Sequence, residues 1–279
     1  MMEIELKNAQ KPLRKLRKAL KRLPADPSTQ EVHSLRTEAR RLEAIVEALM
    51  LDRKKKTRQL LKAVSPVRKA AGDVRDMDVM VGNVLALSHD REDDSLVRLV
   101  EHLGEKRVES ARDLRLTVAE QRKNACRTLK EYSKLVGKQF PAKKRTLTNE
   151  APAPMELATE LSHWPALDEE NIHPFRIKVK QLRYMLQLAE KADKQIVDAL
   201  GKVKDEVGDW HDWQELARIA RGVLDPEEDR AALKKIEEIG SRKFKHALAT
   251  ANTVRSEYFS KPSTSGRENG RKRKPAASK

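Results

Sequence analysis

Residues 32–49, VHSLRTEARRLEAIVEAL, and residues 172–189, IHPFRIKVKQLRYMLQLA, align without a gap. The offset of 140 pairs His33 with His173, Leu35 with Phe175, Arg36 with Arg176, Ala39 with Val179, Arg40 with Lys180 and Leu42 with Leu182. Both stretches have helical periodicity. At about 100° per residue, His33, Arg36 and Arg40 fall near 0°, 300° and 340°, a single narrow stripe. Leu35, Ala39, Leu42, Val46 and Leu49 fall at roughly 160–240°, a separate apolar face. His173, Arg176, Lys180 and Arg183 repeat the polar stripe, and Phe175, Val179, Leu182, Leu186 and Ala189 repeat the apolar one. A second pair of blocks follows in the same order, VRKAAGDVRDMDVM at 67–80 and VKDEVGDWHDWQEL at 203–216, 136 apart. Here Gly72, Asp73, Arg75 and Asp76 meet Gly208, Asp209, His211 and Asp212. Two matching blocks in one order at nearly one offset mark a tandem duplication of a helical unit.

The rest of the chain fits that unit. Apolar residues recur at steps of three and four or their sums from Leu96 to Val136, predicting one long amphipathic helix over about residues 94–137. Shorter helices are expected over roughly 4–23, 29–51, 55–64, 66–88, 155–163, 173–191, 194–221 and 226–258. Breaks are expected at Pro24 and Pro27, at Pro66, in the acidic run near Asp90, and at Asp225-Pro226. The fold class is therefore all-α, two pseudo-repeated antiparallel bundles of long helices. Residues 1–139 form the first half, 140–154 with three prolines a linker, 155–258 the second half and 259–279 a disordered basic tail.

Composition sets the class of partner. The 279 residues carry 59 Lys and Arg against 43 Asp and Glu, a formal net charge of +16. Residues 1–24 have a balance of +6, residues 52–75 of +7, and residues 90–135 are nearly neutral. The tail from Lys261 to Lys279, with its Arg271–Lys274 RKRK run, contributes +6 and leaves the body at +10. Such an excess predicts a polyanionic partner. No apolar run approaches the ~18 residues of a membrane span, so no membrane partner is expected. The N-terminus MMEIELKNAQK has no apolar signal stretch, and the single Cys126 cannot form an internal disulfide. A cytoplasmic protein is expected.

The stripes supply the chemistry. Steps of three and four residues set cations about 5 Å apart along a helix, which costs stability unless an anion or carboxylates compensate it. A linear phosphate chain offers oxyanions at a comparable pitch. Arg can fork onto two oxygens, Lys supplies a point charge, and His can donate a hydrogen bond or titrate. The matched Gly72 and Gly208, each costing about 1 kcal/mol in a helix, suggest close helix packing or a kink. Asp76 and Asp212 could orient the Arg and His of the first blocks. Arg68, Arg75, Lys204 and His211 extend the basic surface, with Arg41 beside them. Trp210 and Trp213 read as core anchors, Cys126 as partly buried, and His89, His102, His163 and His246 show no partner pattern.

The paired blocks His33-Arg36-Arg40 and His173-Arg176-Lys180, with Arg183-Tyr184, together with Gly72-Arg75-Asp76 and its degenerate copy Gly208-His211-Asp212, resemble the conserved histidine α-helical domain, CHAD. The likeness covers about residues 5–258. It implies two bundle halves related by a pseudo-twofold and meeting at a basic groove or pore. It also implies binding of inorganic polyphosphate, in some members with association to polyphosphate granules. Carried over by position, His33, Arg36, Arg40, His173, Arg176, Lys180 and Arg183 become the expected phosphate contacts, with Arg41, Arg68, Arg75, Lys204 and His211 as secondary ones. Glu43 stands where Arg183 stands in the second half, His211 replaces an expected Arg, and Gln214 is opposite Asp78.

Three functions follow from these residues. The first is a non-enzymatic polyphosphate-binding module without cofactor, metal or catalytic residues. The second is a basic nucleic-acid-binding protein, supported by a pI of 9.8 and the tail. Only ten aromatics offer stacking surface, so nucleic acid is expected to bind weakly and non-specifically through the tail. The third is a metal-dependent phosphohydrolase built on His33, His173, His211 and Asp212, for which no His-Glu-x-x-His or phosphate-cradling glycine loop is present.

Overall fold

A computed structural model describes residues 2–48, 55–87, 93–139, 146–149, 152–189 and 192–259. Asp90, His89 and the tail 261–279 with its RKRK run lie outside the described residues. Among the described residues the fold is all-α, eight helices packed in pairs, with one two-stranded ribbon.

The ribbon departs from the expected order. β1 (Met2–Glu5) pairs antiparallel with β2 (Thr146–Asn149), Met2 opposite Asn149 and Glu5 opposite Thr146. Helix α1 (Leu6–Arg22) therefore starts after a strand, and the expected linker contains one. The alternation Met-Glu-Ile-Glu against Thr-Leu-Thr-Asn is a period of two, which suits a pleated pair and not a helix.

α1 buries Ala9, Leu13, Leu16 and Leu20 on one face and leaves its cations on the other. The chain then turns through Pro24 and Pro27. Ser28 and Glu31 cap the next helix reciprocally: the Ser28 amide donates to Glu31 Oε2 (2.9 Å), and the Glu31 amide donates to Ser28 Oγ (3.3 Å). Helix α2 (Thr29–Ala48) carries the first His-Arg-Arg stripe.

Helix α3 (Lys55–Leu85) corrects the expected break at Pro66, because it runs straight through that residue. An interior proline removes one backbone bond and costs about 3 kcal/mol. Here Ala63, Val64, Val67 and Ala71, all at most 1% exposed, bind the helix to its neighbours on both sides of an exposed Pro66. Burial of that flank offsets the lost bond.

Helix α4 (Asp94–Gln139), about 70 Å at 1.5 Å per residue, follows the expected span. It packs against α3, and against α1 around Leu129–Lys134. After β2 come α5 (Pro152–Ser162), α6 (Ile172–Leu186), α7 (Lys194–Val223) and α8 (Arg230–Tyr258). α7 pairs with α8 and α6, while α2 lies on α6 and α3 on α7. No described helix is long and apolar enough to cross a membrane.

Two apolar clusters hold these helices. The larger joins α1, α2 and α6 to parts of α3, α4, α5, α7 and α8, and includes Leu35, Leu42, Phe175, Val179 and Leu182. The smaller gathers Met80, Val84, Leu99, Leu103, Trp213, Leu216 and Ile236 where α3, α4, α7 and α8 extend beyond the shorter helices. Trp210 and Trp213 are buried anchors of one cluster each, as their spacing suggested. Cys126 is half-buried against the larger core.

Candidate functional site

Between α2, α6, α3 and α7 lies a cavity of about 800 Å³, bordered at one end by Met80 and Ile219 of the smaller core. Its walls receive His33, Arg36 and Arg40 from α2 and His173, Arg176 and Lys180 from α6. α3 adds Arg68, Arg75 and Asp76, and α7 adds Lys204, His211 and Asp212. Each polar stripe faces this cavity because the opposite face of its helix is committed to the larger core.

Two expected contacts lie elsewhere. Arg41 donates to Glu38 at 2.7 Å and is not part of the lining. Arg183 stands seven residues, about 10 Å, beyond Arg176 along α6, so its stripe leaves the cavity before it. Its Nε donates to the Val197 carbonyl at 3.2 Å, and its guanidinium lies over Gly201.

The matched glycines gain a physical account from the same geometry. Arg176 Nε donates to the Lys204 carbonyl at 2.9 Å, which lays its guanidinium flat on α7. A β-carbon on Gly208 would stand 3.1 Å from both Cζ and Nε of Arg176. In the first half a β-carbon on Gly72 would be 3.6 Å from Arg36 Nε, an ordinary contact. Gly208 thus serves as a seat for Arg176, whereas Gly72 leaves ordinary contact room beside Arg36, and both helices run unbroken through these positions.

The matched sequence positions also differ in charge. Glu43, which takes the place of Arg183, forms an ion pair with Arg68 at 2.6 Å. Arg36 Nη2 lies 3.7 Å from Asp76 Oδ1. Asp78 is held by Arg107 at 2.8 Å.

Crowding of like charges shows in the titration of these groups. Burial, then the charges of Arg40, Arg176, Arg36 and Lys204, pushes the Lys180 ammonium down to about 6. Burial, then His211, Arg176 and Lys180, pushes His173 down to about 4. The His173 and His211 rings touch, with centroids 4.1 Å apart. His33 is lowered by burial and then by Arg75 and Arg36. Asp76 and Asp212 are both raised by loss of water, which outweighs the nearby Arg36 and Arg176. Among the described residues no acceptor reaches the buried Nε of Arg36 or Arg40, or Nδ1 of His173 or His211. Four unpartnered nitrogens, brought to the cavity by α2, α6 and α7, form a surface suited to acceptor-rich, anionic ligands.

The family whose model matches this chain is the CHAD domain, over residues 7–221. The chain belongs to the CHAD domain family. A crystal structure of the CHAD domain from the plant Ricinus communis superposes with a TM-score of 0.62 at 16% identity, covering 90% of this chain and 88% of that one. That likeness is one of fold. Comparison with curated proteins gives no match.

This CHAD domain carries acidic lining that the stripes did not reveal. Asp73, Asp205, Asp209 and Glu215 also line the cavity. Three of them are tied to cations: Asp205 to Lys204, Asp209 to Lys243 (2.6 Å) and Glu215 to Arg218 (2.9 Å). Positions 205, 208, 209 and 212 recur at steps of three, one and three, so one stripe of α7 held the signal. Among the described residues no group of three or more His, Cys, Asp or Glu could hold a metal ion.

Proposed function

We propose that this CHAD-domain protein binds inorganic polyphosphate without chemical turnover, and that the central cavity is the basic groove between two repeated halves. α2 with α3 forms one repeat and α6 with α7 the other, related by a pseudo-twofold. His33, Arg36, Arg40, His173, Arg176 and Lys180 contact the chain, helped by Arg75, Lys204 and His211. Arg183, Arg68 and Arg41 act mainly through the protein contacts described above. Asp76 and Asp212 hold Arg36 and Arg176 in place. Such a module could also carry the protein to polyphosphate granules.

One observation carries this reading: a lysine lowered to about 6 by burial and then by the surrounding cations, lining one cavity with arginine and histidine nitrogens that have no acceptor among the described residues. That arrangement is costly alone and is relieved by a polyanion, which also fits the family's association with phosphate polymers.

Competition at matched phosphate and salt tests it. Polyphosphate should displace duplex DNA, and DNA should not displace polyphosphate. Equal displacement in both directions would sink the specific reading. Saturating polyphosphate, at ~100 times its Kd, should stabilise the fold by about 2.7 kcal/mol in thermal melts. Incubation with Mg or Mn should release no phosphate.

The matched glycines give a second test. Gly208→Ala should lower the melting temperature only slightly, since the helix preference of Ala, about 1 kcal/mol, offsets part of the roughly 1.5–3 kcal/mol carried by the Arg176 carbonyl bond. It should weaken polyphosphate binding about tenfold, because Arg176 must leave its place and its carbonyl bond. Gly72→Ala should change binding less than about twofold, because its β-carbon meets Arg36 at ordinary contact distance. Equal effects of the two would refute the seating argument.

A further inference from the structure

A second cavity, of about 490 Å³, opens between α1 and the C-terminal half of α4. It shares no lining residue with the central cavity. Arg14, Arg17, Lys18, Lys21 and Arg22 of α1 face Lys130 and Lys134 of α4 across a floor formed by the buried Leu13 and Leu129. The α1 cations sit at steps of three and one, over about two turns, or roughly 11 Å.

Three features separate this cleft from an ordinary solvated face. Among the described residues no carboxylate lines it, unlike the central cavity. Among the described residues none of the seven cations has an ion-pair partner, although Lys15 on the same helix pairs with Glu38. The Nε of Arg17 is buried without an acceptor among those residues. Like charges at such spacing cost each helix a few tenths of a kcal/mol per pair. Among the described residues no carboxylate offsets that cost, so the cleft is suited to a concentrated anion. Among the described residues it is lined by no aromatic ring that could serve the bases of a nucleic acid as a stacking platform. A bare chain of phosphates needs none.

We propose that the α1/α4 cleft is a second, independent site for a linear phosphate chain. The inference rests on the reading of this protein as a polyphosphate binder but stands on different residues. Short chains would occupy the two sites separately.

Calorimetry of the full chain with a short linear polyphosphate tests this. The unaltered protein should bind about two chains per molecule, with affinity at both sites falling as salt rises. Arg14→Gln combined with Lys18→Gln, Lys21→Gln and Lys130→Gln should reduce this to about one, leaving the other affinity within about threefold. All four positions are exposed, and relief of like-charge crowding should keep the melting temperature from falling. Arg36→Gln with Arg176→Gln should remove the other event and keep the cleft. If the fourfold variant binds like the parent, the cleft proposal is overturned and the cavity reading stands. If the fourfold variant loses all binding while the cavity variant loses none, the cavity reading falls and the cleft is the site. If a single-stranded DNA of equal phosphate number displaces polyphosphate from the cleft as readily as the reverse, the assigned ligand class is wrong.

Discussion

Reversing Arg36→Glu and Arg176→Glu together is expected to weaken polyphosphate binding at the central cavity by at least about a hundredfold, or ~2.8 kcal/mol. Each change replaces a donor by a like charge for the ligand, and charge-assisted bonds contribute about 1.5–3 kcal/mol apiece. The two residues come from α2 and α6, so the loss would be shared by both walls. Arg176 also donates to the Lys204 carbonyl and approaches Asp212, so its reversal places a third carboxylate near Asp76 and Asp212. A companion pair, Arg36→Gln with Arg176→Gln, separates binding from folding. At the central cavity it should bind at least tenfold more weakly, about 1.4 kcal/mol, while circular dichroism and melting temperature remain near those of the parent. Deleting residues 261–279 should weaken binding only modestly. If tail deletion caused most of the loss and both cavity pairs bound normally, the central site would be wrong.

Much of this architecture was legible because periodicity reports which side of a helix is apolar. The face of α2 carrying Leu35, Ala39 and Leu42 is buried as its spacing required, and α4 follows an apolar pattern sustained over its whole length. Periodicity does not report how far a stripe extends before its neighbour ends. Arg183 shares the angular position of Arg176 and Lys180, yet lies on Gly201 instead of in the cavity. Nor does it report which chain segments meet. The pairing of Met2–Glu5 with Thr146–Asn149 and the bond between His246 and Glu206 at 2.8 Å join residues distant in sequence. Pro66 shows the limit of local rules, because packing of Ala63, Val64 and Val67 overrides a helix breaker. Glu43, at the position matching Arg183, pairs with Arg68, so a local counter-ion stands there in place of a further cation.

Polyphosphate binding is expected to take up protons and to weaken as pH rises from about 6 towards 9, by up to tenfold per pH unit for one coupled group. The group is Lys180, which faces Arg36 and Arg40 on α2, Arg176 on its own helix and Lys204 on α7. With its ammonium lowered to about 6, it is mostly neutral at pH 7 in the free protein. A bound phosphate chain favours the charged form, so binding draws a proton from solution. A surface of ordinary lysines and arginines would bind with little pH dependence over this range, because all stay charged. Lys180→Arg should therefore flatten the profile between pH 6 and 9, since Arg remains a cation throughout. Lys180→Met should lower affinity at pH 6 more than at pH 9. His173, lowered to about 4, should add a second decline between about pH 4 and 6.5. Stability of the free protein has the opposite sign. The unfolded chain binds more protons at Lys180 above pH 6, so stability should rise with pH between about 6 and 10.5, by at most about 1.4 kcal/mol per unit. Thermal melts with and without ligand at three pH values measure both slopes. Parallel pH dependence of the free and bound melts would show that Lys180 does not change protonation on binding, and would remove it from the site.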